Sequence, residues 1–240
     1  MLLRLIYFLT GTVFLTGYAP AQNPSDSALL QQAVSRSVQQ YFGLFGENIH
    51  LYNGTEYIRY NTGAKGHPFF LSEQPVKSDI VYGGILYRDV NLSYDLTSEE
   101  ILAILPVQNV NLKLVNKKIE SFNLSNHHFI RIDSTSGNLS SGFYEILHQH
   151  KNVMLLAKRL KRVVQSPRPE EPPRFLQQDI YFISTGSDYY NISSKKSIIN
   201  ILKDKKEEIR RFIKENKLNF KKDAENTIIK TTMQYARLKE

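Results

Sequence analysis

Four of the six histidines fall in two short runs, "HHFIRI" beginning at His127 and "GFYEILHQH" ending at His150, on either side of the turn-rich "DSTSGNLSS". If the runs pair as a hairpin centred near Gly137, His127 lies opposite His148, and His150 points to the same side two residues further on. His127, His148 and His150 would then offer the imidazole donors that zinc and copper accept. A slip of one residue would send His127 to the other face. No thiolate or fixed carboxylate accompanies them in the sequence, so the expectation is strand-end histidines with no metal, and no cofactor is expected.

Other residues carry weaker chemistry. His67 sits in "TGAKGHPFF" between flexible glycines, but no second catalytic group lies at a recognised distance from it. Ser193 and Lys196 have the S-x-x-K spacing of serine acylases. The companion S-D-N and K-T-G are missing after them, and the similar Ser184-Thr185-Gly186 precedes them, so capping of a helix by Ser193 or Ser194 accounts for the serines. Asp89, Asp95 and Glu56, beside Tyr57, Tyr87 and Tyr94, are the carboxylates that would suit hydrolysis of an envelope glycan if two of them converged. No catalytic residue is assigned.

The chain carries a formal charge of +8, with Lys and Arg concentrated near 158–162 and 195–222. In "LAKRLKRVVQ", Lys158, Arg159, Lys161 and Arg162 read as a strand with a charged outer face. The ordinary role of such residues is to guard a sheet edge; the sharper one is to bind a polyanion, either an acidic glycan or a lipid headgroup. No nucleic-acid motif is present, and nucleic acid is not an expected partner.

The elements that must position these residues begin after a targeting segment. Arg4 supplies a positive n-region, Leu5 to Gly17 is apolar, and Ala19-Pro20-Ala21 satisfies the small-x-small rule, so 1–21 reads as a signal peptide cleaved after Ala21. The apolar run is shorter than the roughly 20 residues that span a bilayer, and no transmembrane segment is expected once it is removed. Cysteine is absent, which excludes disulfides, thiolate chemistry and lipoprotein anchoring. The remaining 22–240 is expected to form one β-rich domain. Residues 22–46 show helical periodicity through Leu30, Ala33, Val34, Val38, Tyr41 and Phe42. Across 47–192 the period becomes two, in short runs such as "DIVYGGILY", "IESFNL", "HHFIRI" and "DIYFIS", with Asn53-Gly54 as a hairpin turn and Gly63 and Gly66 as a looser one. Connections this short cannot make parallel crossovers. Residues 193–240 return to helix, with Asp223 capping the last. The expected fold class is α+β: a large, antiparallel, curved β-meander with an N-terminal helix and a C-terminal helical segment packed on it.

Taken in order, "YNGTEYIRYNTGAKGHPFF", "VYGGILYRDVNLSYDL", "GFYEIL" and "KSIINILKDKKEEIRRFIKENKLNF" resemble a group of exported, β-rich envelope proteins of Gram-negative bacteria to which no chemistry is assigned. The resemblance implies a periplasmic, outer-membrane-associated or extracellular location and adds no catalytic residue. The function expected is that of a non-enzymatic binding or interaction module, with another envelope protein, an anionic glycan or a lipid headgroup as partner. The alternatives are a hydrolase of envelope polymers and a carrier of an apolar ligand enclosed by the sheet.

Overall fold

The computed structural model describes residues 29–36, 50–59, 62–105, 110–133, 139–186 and 188–240. The chain divides into two compact units, 1–46 and 47–240. In the first, residues 29–36 form a helix, α1, with Leu29, Leu30 and Val34 exposed. The cleavage residues Ala19 and Ala21 lie outside the described residues, as does the rest of the expected 22–46 helix.

The second unit contains the strands β1 (Thr55–Glu56), β2 (Val76–Tyr82), β3 (Ile85–Asp95), β4 (Glu100–Leu105), β5 (Val110–Lys113), β6 (Ile119–Leu124), β7 (His127–Ile132), β8 (Gly142–His150), β9 (Val153–Val164), β10 (Arg174–Ser184) and β11 (Tyr189–Ile192). The helices α2 (Lys195–Ile201), α3 (Lys206–Glu215) and α4 (Ala224–Leu238) follow. The strands form one eleven-stranded sheet in the order β1-β5-β4-β3-β2-β6-β7-β8-β9-β10-β11. Each pairing between these strands is antiparallel. Neighbours in space are neighbours in the chain except where β1 joins β5 and β6 returns to β2. The broad expectation of an antiparallel sheet followed by helices therefore matches the architecture.

Side-chain contacts show that the sheet bends. Tyr94 on β3 and Phe143 on β8 are separated by β2, β6 and β7, a distance of roughly 19 Å across a flat sheet. Their rings nevertheless meet at 5.8 Å. Phe122 and Phe129 stack at 4.9 Å, and Tyr94 meets both edge-on, at 5.6 and 5.5 Å. This aromatic cluster, joined by Leu51, Ile80, Leu92 and Ile101, fills the inside of the bend. Such ring pairs prefer tilted or offset geometry because the negative face of one ring attracts the positive edge of another.

A second, aliphatic core lies where α2, α3 and α4 cover Leu155, Ala157, Tyr181 and Ile183 of β9 and β10. Ile198 of α2 with its C-cap Leu202, and Ile209 with Ile213 of α3, recur at four-residue steps, which places each pair on a single face, and Ile228 joins them from α4. Ser194 caps α2 through a reciprocal capping box with Ser197, and Asp223 caps α4 by accepting from the Asn226 backbone N–H.

Two turns differ from expectation. Asn53-Gly54 does not close a hairpin, because residues 55–56 pair with β5 instead. Gly54 is required there for proximity: a Cβ on it would stand 2.0 Å from the carbonyl oxygen of Lys113. "DIVYGGILY" is two strands, folded at Gly83 and Gly84, both left-handed with φ of 60° and 78°. That is the conformation a tight two-residue hairpin requires.

Candidate functional site

The four basic residues expected to line one charged edge are distributed quite differently. β9 is an interior strand with β8 on one side and β10 on the other, so it has no edge to guard. Alternation along a strand sends Lys158 and Arg162 to one face and Arg159 and Lys161 to the other. Of the four, only Arg162 is exposed.

Arg159 is the centre of an ionic network. Its side chain is 4% exposed and meets three carboxylates: Glu145 on β8 at 2.6 Å, Asp179 on β10 at 3.0 Å and Glu225 in the first turn of α4 at 2.5 Å. Glu145 also meets His127 Nδ1 at 2.5 Å, and the Tyr181 hydroxyl donates to Glu225 at 2.9 Å. Glu145 lies opposite Phe129 in one register and opposite Ala157 in the other, so the network occupies the seam between the aromatic and aliphatic cores.

Burial opposes the Arg159 charge. The hydrogen bonds that Arg159 donates to Glu225 and Glu145, with the charges of Glu145 and Asp179, more than reverse that effect, so its affinity for the proton rises above the usual value. Burial likewise works against ionised Glu225, but its bonds to Arg159 and Tyr181 hold it below its ordinary value. Tyr181 is pushed up by burial and by the neighbouring Glu225. Arg159 and Glu225 can stay charged away from water because each is paired and hydrogen-bonded, Tyr181 remaining a neutral donor.

The other two lysines are also engaged. Lys158 Nζ lies 3.2 Å from Glu99 and donates to the Ser140 hydroxyl at 3.1 Å. Lys161 donates from Nζ to the Phe69 and His67 carbonyls at 2.6 and 3.2 Å, while its backbone N–H donates to Leu96 at 3.1 Å. It thus ties the glycine-flanked segment 67–69 and the β3–β4 turn to β9. The expected polyanion surface at Lys158, Arg159, Lys161 and Arg162 is accordingly corrected to a set of interior ties with one exposed arginine.

The histidines separate as well. β7 and β8 pair with Phe129 opposite Glu145, one residue away from the register that would oppose His127 to His148. His127 therefore turns to Glu145 and meets the Phe70 ring in a T-shaped contact, centroids 5.0 Å apart. His148 sits beside a bulge between β8 and β9, where burial and the neighbouring His150 lower its proton affinity. His150 Nε2 faces Glu240 at 3.1 Å. His127, His148 and His150 do not converge, and among the described residues no group of three or more potential ligands is arranged around a metal position.

The carboxylates considered for hydrolysis have separate structural roles. Asp95 is fully buried, accepting from the Tyr57 hydroxyl at 2.8 Å and from the N–H groups of Thr97 and Ser98, so it shapes the β3–β4 turn. Asp89 lies six positions earlier on the same strand, roughly 20 Å away by strand rise. It is left-handed, with φ of 54°, at the bulge opposite Asp79. Glu56 is exposed on β1 and pairs with Leu112. Ser193 lies just ahead of the helix that Ser194 caps, and its N–H donates to the Ser197 hydroxyl.

Sequence reasoning missed Glu145, Asp179 and Glu225. The available signal was a glutamate alone among apolar residues in "GFYEIL", since a charge on the buried face of a strand demands a partner. No protein-family model, curated protein or solved structure matches the chain.

Proposed function

We propose that this chain is an exported, non-enzymatic binding module of the cell envelope, periplasmic, outer-membrane-associated or extracellular. Its partner on this reading is an anionic glycan, a lipid headgroup or another envelope protein. The observation that carries the reading is the filled interior: Tyr94, Phe122, Phe129 and Phe143 occupy the inside of the bend, where a carrier would need space for an apolar ligand. The hydrolase alternative finds no support in the positions of Glu56, Asp89 and Asp95. Export rests on Arg4, the apolar run and Ala19-Pro20-Ala21, together with the resemblance to exported envelope proteins. Among the described residues no helix is long and apolar enough to cross a membrane.

The test uses protein recovered from its native envelope. Intact mass should place the first residue at Gln22, and Met1 retained would overturn export. Incubated with labelled envelope polysaccharide at physiological salt, the protein should retain polymer without shortening it and should release no stoichiometric lipid on extraction. Depolymerisation would establish a hydrolase, and one equivalent of bound lipid a carrier.

A further inference from the structure

A cavity that combines hydrogen-bonding groups, cations and an open aromatic ring lies at the corner where α2 and the end of α4 meet β11 and the β10–β11 turn. Its volume is about 520 Å³, and its lining includes Tyr190, Asn200, Lys203, Asp204, Tyr235 and Lys239. That size falls within the range of small-ligand sites. A smaller hollow of about 260 Å³ shares Thr185, Tyr235 and Lys239 with it and adds His150 and Lys151 from the β8–β9 end of the sheet.

The chemistry of the lining is mixed in a particular way. Asp204 is positioned by Tyr235, whose hydroxyl donates to it at 3.1 Å, and by Lys239, whose Nζ stands 2.9 Å away. Burial raises its proton affinity, and the bonds from Lys239 and Tyr235 together outweigh that effect, so Asp204 stays an ionised acceptor at neutral pH. A carboxylate has about four lone-pair sites, which leaves acceptor capacity for ligand hydroxyls. Lys203 is exposed and has no ion-pair partner among the described residues. With Lys151 and Lys239, set against Asp204 and the Glu240 carboxylate that faces His150, it leaves the double hollow with one lysine in excess. Tyr190, 44% exposed, offers a ring face on which the apolar side of a pyranose can lie. Asn200 adds an amide with both donor and acceptor.

We propose that this corner cleft binds an acidic oligosaccharide, with its carboxylate at Lys203, its hydroxyls at Asp204 and Asn200, and a sugar ring on Tyr190. This deepens the binding-module reading and rests on it. A phosphate ion would use the lysines but not the ring, and a neutral sugar would use the ring but not the lysines; an acidic sugar uses both.

The test is calorimetric titration of the full mature chain at 0.15 M salt with a hexamer of galacturonate, its carboxyl-reduced neutral counterpart and inorganic phosphate. Vesicles containing phosphatidylglycerol form a separate arm. The acidic hexamer should bind at least tenfold more tightly than the neutral one or phosphate. Tyr190→Ala and Lys203→Gln should each weaken it five- to tenfold with unchanged unfolding midpoints, and Arg162→Gln should leave it unaltered. Equal binding of both hexamers, indifference to Tyr190→Ala, or vesicle binding without hexamer binding would overturn the assignment. If the hexamer binds and is cleaved, the non-enzymatic reading fails while the cleft stands. If envelope polysaccharide is retained while the hexamer is not, the cleft fails while the reading stands.

Discussion

On β9 the guanidinium of Arg159 is 4% exposed and touches three carboxylates. At the α2–α3 turn, Lys203 is exposed and touches none among the described residues. Both lie in basic runs of similar density, yet one run ties the interior together and the other remains on the surface. An interior strand is paired along both edges, and where its faces are also covered, as at Lys158 and Arg159, each charge must find a partner within the fold or remain unpaired away from water, whereas Arg162 further along β9 reaches solvent. A short amphipathic helix buries one stripe and leaves the rest of its circumference to solvent. The element that carries a basic residue therefore decides its role more than the local charge does.

The largest effect that would sharpen this contrast comes from Arg159→Met. Removing the cation leaves Glu145, Asp179 and Glu225 clustered without it, and unfolding in urea should show a loss of about 3–5 kcal/mol. Arg159→Lys should recover only part of that, because a single ammonium cannot reproduce the fork that reaches three acceptors. A loss within 0.5 kcal/mol of zero for Arg159→Met would end the distinction between the two regions.

Next in size is Lys161→Met, which strips donors from the Phe69 and His67 carbonyls. The expected loss is about 1–3 kcal/mol, with the earliest gain in hydrogen exchange at residues 67–69 and 96. If exchange there were unchanged, Lys161 would be an ordinary surface lysine.

The pH dependence tests the seam and the corner together. His148 has a folded proton affinity below its unfolded value, because burial and His150 disfavour the cation. The unfolded chain therefore binds more protons, and stability should fall as pH drops through about 6.5. Glu225 and Asp204 are also depressed. Their contribution is fully present above about pH 4.3 and is lost as pH falls through the folded values. The profile should therefore decline in two stages, with His148→Gln removing part of the upper one. A flat profile between pH 7 and 5 would show that burial of His148 carries no linkage.

Smaller still is Tyr94→Phe. The Tyr94 hydroxyl is buried and has no hydrogen-bond partner among the described residues, and burial raises its proton affinity well above the usual value. Deleting it should be neutral or should stabilise by about 1 kcal/mol. The smallest effect belongs to Arg162→Gln and Lys203→Gln, each expected within about 0.5 kcal/mol of wild type. A large loss for either would place that residue with Arg159 instead of on the surface.

Much of the local structure was legible. "IESFNL" and "HHFIRI" are strands with the bounds their alternation suggests, β6 and β7. Asp223 caps α4 as its position before a periodic run implies. The double glycine in "DIVYGGILY" carried a hairpin signal that a continuous apolar run obscured. The β7–β8 register was not legible, since a loop of this length permits pairings that differ by one residue, and one residue exchanges the faces of every side chain. The candidate site was the least legible part: Arg159 finds Glu145 14 residues away and Glu225 66 residues away, and no local pattern encodes such distances.

By itself, then, the sequence determined the antiparallel character of the sheet, the C-terminal helices and the caps that start two of them, because backbone periodicity, turn chemistry and capping act over a few residues. Only the tertiary structure decided that β6 returns to β2, that β9 is interior, and that His127 faces Glu145 in place of His148. It also brought Tyr190, Asp204 and Lys239 to one cleft. Those outcomes depend on how the sheet bends and which surfaces the helices cover, which many residues distant in the chain settle jointly through the burial of the aromatic and aliphatic cores.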